Sequence, residues 1–443
     1  MRLSLRDHLS ELLHLAAPVV VARTGILTMA TADIVMLGHY DAEDVAWYGI
    51  GVTPFIVLLL IGIGLLTGTL VMTSHARGAG RLADCGPVWR RSLPYALLIG
   101  LAGMAISQFA EPFFLMIGQS PDIAAGGGAV TAIAGLALVP TLIHSNSTYF
   151  MEGLARPLPG MTVILGGNLL NVLLNWLLIF GHWGLPEMGA VGAIAATSIV
   201  RCAMAAALVG YIWWLPDRET FGIRKPLSGG WWRGGGEQWR LGYAAGVSQG
   251  VESAAFNSLT MMAGLLGPVA LAAYSISLNL TALIFMLALG FGAATAVRVG
   301  AARGAGDHAR MVESGWVGLG ATAFIMAGLG ILLWWWRGEI AAVYTSQAEL
   351  HDLLPLLFGI VAFFLIPDGG QVVMTFALRG AADAWMPTAI HLLSFFVVMI
   401  PSAWFLAFPM GMGVIGLVIS IALGAGAALL ILSFRFWLVG SRP

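Results

Sequence analysis

Twelve apolar runs, separated by short polar breaks, govern what this chain of 443 residues can become. They fall at about 12–38, 45–74, 92–118, 123–151, 158–181, 188–215, 241–266, 269–300, 312–336, 350–378, 386–408 and 412–438. Each is long enough to cross about 30 Å of hydrocarbon as a helix. The chain is 59% hydrophobic and 10% charged, against about 25% charged residues in a soluble protein. Such a composition excludes a soluble cytosolic enzyme, a disordered protein and a nucleic-acid binder. It fits an all-α membrane protein, with the lipid bilayer as its solvent. One connection is long and polar, PDRETFGIRKPLSGGWWRGGGEQWR at 216–240, and it divides the runs six and six. The expected organisation is an N-lobe over 1–215, a cytoplasmic linker over 216–240 and a C-lobe over 241–443.

Charge sets the orientation. With the N-terminus inside, 18 of the 21 Lys and Arg residues fall in inner loops or tails, from Arg2 and Arg6 to Arg435 and Arg442. Only Arg337 falls outside, while Arg23 and Arg201 lie within spans. The outer loops are acidic, with Asp41, Glu43, Asp44, Glu111, Asp122, Glu187 and Glu339. The positive-inside rule then places both termini in the cytoplasm. The N-terminal MRLSLRDHLSELLHL reads as a retained leader into the first span, because no small-residue cleavage site follows it. Cys85 and Cys202 are far apart in sequence and form no metal-ligand or disulfide pattern.

The two halves repeat. Residues 48–80 and 274–306 align without a gap at an offset of 226, with ten identities in 33 and a shared ARGAG at the same helix end. Two parallel six-helix repeats form a transporter architecture that works by moving one half against the other.

Three acids fall inside apolar runs: Asp33, Glu252 and Asp368. An unpaired charge at mid-bilayer costs about 2.5–3.5 kcal/mol on insertion scales, so such residues mark ion or substrate paths. A carboxyl in low dielectric can hold either a proton or an organic cation, and that competition is the basis of antiport. Asn171 and Asn175 are four apart in GGNLLNVLLNW, on one helix face, where their amides can bind Asp33 or a cation. Thr197 is a candidate of the same kind. Gln249 shares a face with Glu252, and Asn279 is a further polar candidate for a substrate cleft. Asp368 sits in IPDGGQ, where Pro367 removes a donor and two glycines loosen the chain; a locally broken helix is expected there. Arg23 and Arg201 read as snorkelling residues or structural ion pairs. His14, His144 and His391 are single histidines in apolar runs and read as packing or helix-glue residues. GRLADCGPVWRR at 80–91 is similar to a major-facilitator loop, but its spacing slips and it has no second copy.

Several segments in order carry a resemblance: LAAPVV at 15–20, TADIVMLGHYDAEDVAWYGIG at 31–51, NVLLNWLLIFGHWGLPEMGAVGAIAAT at 171–197, GPVALAAYSISLNL at 267–280, RVGAARGAGD at 298–307 and PDGGQVVMTFALRGAAD at 367–383. Along nearly its whole length the chain resembles the multidrug and toxic compound extrusion transporters, in their NorM-like branch. The resemblance implies twelve transmembrane helices in two pseudo-symmetric bundles. It also implies export of cationic amphipathic drugs in exchange for H+ or Na+, with no cofactor, by a monomer of the bacterial inner membrane. It carries the C-lobe acids onto Glu252 and Asp368, and the N-lobe acid and asparagines onto Asp33, Asn171 and Asn175; either set is a candidate Na+ site. Pro18 corresponds to a helix-bending proline of the first span. Phe364 stands where a tyrosine is common, which removes a hydroxyl from the C-lobe site. Two other readings compete. A lipid-linked oligosaccharide flippase needs a basic cleft, for which only Arg23 and Arg201 are available. A membrane-embedded enzyme needs a catalytic constellation, and none is found.

Overall fold

The computed structural model describes residues 4–227, 230–345 and 347–441, which form helices and turns with no strand among them. Arg2 and Arg442 lie outside the described residues. The helices run in order as α1 (Leu5–Gly38), α2 (Ala42–Gly78), α3 (Cys85–Ser107), α4 (Ala110–Met116), α5 (Pro121–Leu136), α6 (Leu138–Gly153), α7 (Leu158–Leu178) and α8 (Gly189–Trp213). There follow α9 (Gly230–Arg233), α10 (Gly236–Leu265), α11 (Pro268–Gly304), α12 (His308–Trp335), α13 (Arg337–Tyr344), α14 (Ala348–Gly380), α15 (Trp385–Leu392), α16 (Ile400–Ala407) and α17 (Gly413–Gly440).

Nine of these stretches are long and apolar enough to cross a membrane singly, counting α15–α16 as one. Two further spans are bent pairs, α3 with α4 at 48° and α5 with α6 at 44°. The twelfth long helix is α10, about 45 Å at 1.5 Å per residue, which falls short of the same measure of apolarity. It is less apolar because it carries Gln238, Arg240, Gln249, Glu252 and Asn257. The fold is therefore an all-helical membrane fold with twelve crossing segments, as the apolar runs predict.

The chain divides into two compact units. One comprises Met1–Val20 with Val247–Pro443, the other Val21–Gly246. This division differs from the lobes read from sequence, because α1 and α10 each run through a boundary. In the first unit, the start of α1 is fastened by charge. Arg298 and Arg310 both reach Glu11, at 3.4 and 3.0 Å, and His8 lies 3.4 Å from Glu313. Leu12 and Ala16 enter the apolar core with Phe291, Leu378 and Phe436. A methyl at Gly290 would lie 3.0 Å from the Val20 nitrogen, so α11 and α1 meet backbone to backbone. In the second unit, the start of α10 is held by polar and small residues. Gln238 donates to the Val88 carbonyl at 3.1 Å and to Thr69 at 3.3 Å. Gly64 and Gly68 on α2 face Gly242 and Gly246 on α10; a methyl at Gly64 would lie 2.8 Å from the Gly246 Cα. Small residues spaced by four let two helices approach this closely.

The repeat is visible as geometry. Helices α2 and α11 are both 37 residues long, and their ends are offset by 226. Both stop in the shared ARGAG by the same device. Arg81 N–H donates to the Ala76 carbonyl and Asp307 N–H to the Ala302 carbonyl, each at 2.9 Å. Gly80 and Gly306 take φ of +72° and +70°, as the residue after a Schellman stop requires. A methyl at either glycine meets nothing within 4 Å, so only the backbone opposes it. Gly80→Ala and Gly306→Ala are each expected to cost about 1–2 kcal/mol, the left-handed penalty for an L-residue. Melting of the purified variants in detergent measures it, and an unchanged midpoint would contradict it.

One expectation is corrected here. Helix α14 runs unbroken through Pro355 and Pro367, so Asp368 does not sit at a broken helix. Gly369 and Gly370 serve close packing instead: methyls there would lie 2.9 Å from Met326 and from Leu429. The irregular helix is the eleventh span, where a π turn at Leu393–Met399 separates α15 from α16. Pro401 follows one residue later, after Ile400, and a π turn accommodates the missing donor.

Candidate functional site

In the Val21–Gly246 unit, four helices converge on one carboxyl. Asp33 on α1 is 1% exposed. Its Oδ1 accepts from the Nδ2 of Asn175 at 2.7 Å and of Asn171 at 3.1 Å. Its Oδ2 accepts from the Tyr48 hydroxyl and from Thr197 Oγ1, both at 2.8 Å. Asn171 also donates to Thr197 at 3.0 Å. The structure thus brings together Asp33, Asn171, Asn175 and Thr197, and adds Tyr48 from α2. Sequence spacing could not find Tyr48, since it reaches Asp33 only through the turn between α1 and α2. The Asn175 Oδ1 has no partner among the described residues.

Two arginines lie in the same unit. Arg201 is one turn beyond Thr197 on α8, is 7% exposed, and lies within electrostatic reach of Asp33 and Tyr48. Arg23 pairs with Glu152 at 3.3 Å and lies over the Tyr149 ring at 5.5 Å. Glu152 is 3% exposed. It is therefore a buried acid beyond the three that fall inside apolar runs, and it escapes the sequence pattern because it stands at the very end of a run. His144 is buried on α6, two turns before Glu152, within reach of both arginines.

In the other unit, a narrow cavity lies between α10, α11, α14 and α15. Ser248, Gln249, Glu252, Gln371, Thr375, Arg379 and His391 supply its polar wall, and Phe285, Leu289, Val372 and Phe376 the rest. It holds about 20 Å³ of room for water centres, enough for about one water or a bare ion. His391 is bound on both sides, by Ser248 at 2.8 Å and Thr375 at 3.0 Å. It is thus glue, as its isolation in sequence suggests, and cavity wall as well. Glu252 lies within electrostatic reach of Asp368 and Arg379. Asp368 is 7% exposed, interacts with Gln371 one turn on, and lies outside the cavity wall.

The remaining candidates separate. Gln249 lines the cavity. Phe364 is 2% exposed in the apolar core of this unit, and Asn279 accepts from the Tyr344 hydroxyl at 3.0 Å; neither borders the cavity. Pro18 lies inside α1, two residues before the unit boundary. Arg379, an inner-loop residue by its sequence position, is 4% exposed in the last turn of α14. No group of three His, Cys, Asp or Glu residues is arranged to hold a metal ion among the described residues.

A family model described as MatE matches residues 18–177 and again 244–405. The two matches start 226 residues apart, the offset of the internal repeat. A probable multidrug resistance protein NorM of Caulobacter vibrioides is 38% identical, over 96% of this chain and 91% of its own length. The multidrug resistance protein NorM of Burkholderia vietnamiensis is 31% identical, over 98% and 95%. Among solved structures, the eukaryotic MATE transporter AtDTX14 superposes with a TM-score of 0.90 at 20% identity, covering 98% of this chain and 96% of that one. A MATE structure in the bent conformation gives 0.87 at 18% identity, with 98% and 96% covered. At such identities these structures establish the fold alone.

Proposed function

This chain belongs to the multidrug and toxic compound extrusion (MatE) family of membrane transporters, and we propose from that premise that it is a secondary antiporter. It exports cationic amphipathic compounds and takes up H+ or Na+ in exchange, by alternating access. It is a transporter and not an enzyme. In this reading it sits in a bacterial inner membrane as a monomer, with both termini in the cytoplasm and no resident cofactor.

The observation that carries the proposal is the cage around Asp33. As placed, all four neighbours donate to the carboxylate. Proton arrival changes the sign of one contact, because a protonated Oδ must itself donate. Tyr48 and Thr197 hydroxyls can turn and accept, whereas amide Nδ2 groups cannot. Protonation therefore rewires the link from α1 to α2 or α8, and exposes the carboxyl's loss of charge to a bound organic cation. Na+ demands oxygen ligands, so its binding needs a larger rearrangement of the amides. The geometry accordingly favours H+ at Asp33. Glu252, on the wall of a water-sized cavity, is the corresponding group of the other unit, with Asp368 near it.

A flippase needs basic residues free to meet a pyrophosphate. Arg23 is engaged by Glu152 and Arg201 lies beside Asp33, so the flippase reading is the weaker one.

The test is ethidium efflux from proteoliposomes, first under an imposed pH gradient and then under an imposed Na+ gradient. Transport driven by pH alone is expected. Transport driven by Na+ alone would overturn the proton assignment. Silence under both would overturn antiport and return weight to the flippase.

A further inference from the structure

The end of the Val21–Gly246 unit that carries the arginine-rich loops holds a second cavity, of about 280 Å³. That is close to the lower end of small-molecule sites, about 300–1,000 Å³. It lies where α2 ends, α3 begins and the linker returns. His75, Arg81, Asp84, Arg91 and Lys225 supply its polar wall.

The charge on that wall is unbalanced. Asp84 is the one acid, and it lies 3.8 Å from Arg81. Neither Arg91 nor Lys225 pairs with a carboxylate among the described residues. The Nε of Arg91 is buried with no partner, and a buried donor left unpaired costs stability unless something accepts from it. The linker is held across this cavity, since the Arg90 guanidinium donates to the Lys225 carbonyl. Lys225 is the chain's single lysine.

An aromatic cluster joins α3, α9 and α10. Trp232 and Trp239 stack at 5.4 Å, and Tyr95 lies 4.6 Å from Trp239. Trp232 is 47% exposed. Tyr95 and Trp239 are buried at 6% and 5%, so Trp232 alone is free to meet lipid headgroups, a level at which tryptophan is enriched. Basic pockets between helices on the cytoplasmic side suit anionic headgroups.

We propose that this pocket binds the phosphate of an acidic phospholipid of the inner leaflet, in the manner of a headgroup clamp on the linker. A soluble phosphate ester offers the same chemistry, and the two sources are separated by experiment. The inference is independent of which ion drives transport, and rests only on which end of the chain faces the cytoplasm.

The full chain in detergent is mixed with phosphatidylglycerol or phosphatidylcholine, and bound lipid is counted by native mass spectrometry. Wild type is expected to retain phosphatidylglycerol selectively. The variant R81Q/R91Q/K225Q is expected to lose that affinity about a hundredfold, from three basic contacts at their usual strength. A control, R6Q/R218Q/R310Q, removes equal charge away from the pocket wall and is expected to keep it. Lys225 is exposed, so K225E supplies a variant that folds and still weakens binding. Thermal shifts with inorganic phosphate or glycerol phosphate form the second arm; a shift there without lipid selectivity assigns the pocket to a soluble ester. Equal lipid loss in the control and in the pocket variant overturns the site. So does a wild type that does not distinguish the two lipids and is not shifted by either phosphate.

Discussion

Asp33→Asn is expected to lower proton-driven ethidium efflux about ten- to a hundredfold, the size of a coupling free energy of about 1–3 kcal/mol. The substitution is nearly isosteric. An asparagine Oδ1 can still accept from Asn171 and Asn175, and Tyr48 and Thr197 can rotate to accept from its Nδ2. Folding should therefore survive while the protonation step is lost. The companion variant Glu252→Gln separates the two units. If Asp33 carries the coupling proton, pH-driven efflux falls much further in Asp33→Asn than in Glu252→Gln. The opposite ranking would move the coupling site to the cavity beside Arg379 and His391. Near-wild-type efflux from both variants would remove the carboxyls from the mechanism altogether.

Arg23→Leu is expected to destabilise the protein by about 3–5 kcal/mol, because it strands Glu152 as an uncompensated buried charge. The pair is 3.3 Å apart, with Glu152 3% exposed and Arg23 14% exposed. Its second carboxylate oxygen already lacks a partner. The double variant Arg23→Leu/Glu152→Leu is expected to recover most of the loss, since replacing both members with apolar groups is often close to neutral. Fluorescence-detected melting of the single and double variants reads this directly. A double variant no more stable than Arg23→Leu would show that the arginine acts through its Tyr149 contact rather than through Glu152.

Some of this architecture is legible in sequence because it is periodic. The apolar runs count the crossings, and the ARGAG repeat marks where α2 and α11 stop. The spacing of Asn171 and Asn175 puts two amides on one face, and the structure places that face on Asp33. What sequence hides is either non-local or a matter of shape. Tyr48 and Glu152 have partners 15 and 129 residues away, and no local pattern reports them. The glycines after Asp368 look like helix breakers in isolation. Against Met326 and Leu429 they are spacers, and the helix continues. Arg379 reads as a loop cation because it closes an apolar run, yet the last turn of α14 is buried. The π turn at Leu393–Met399 has only Pro401 as its signal, and a proline announces irregularity without saying which kind.

The unit boundaries at Val20/Val21 and Gly246/Val247 fall at one register, 226 residues apart. Each half of the gene thus lends the opening stretch of its first helix to the other half's unit, at equivalent positions. A domain-swapped dimer of half-length chains, fused end to end, would leave this arrangement. The exchange has a practical meaning for dissection. Cutting the chain at its linker yields two pieces, neither of which contains a whole unit. Each piece is short of about twenty residues that only the other can supply. Co-expressed halves are therefore each complete only after receiving the other's opening stretch.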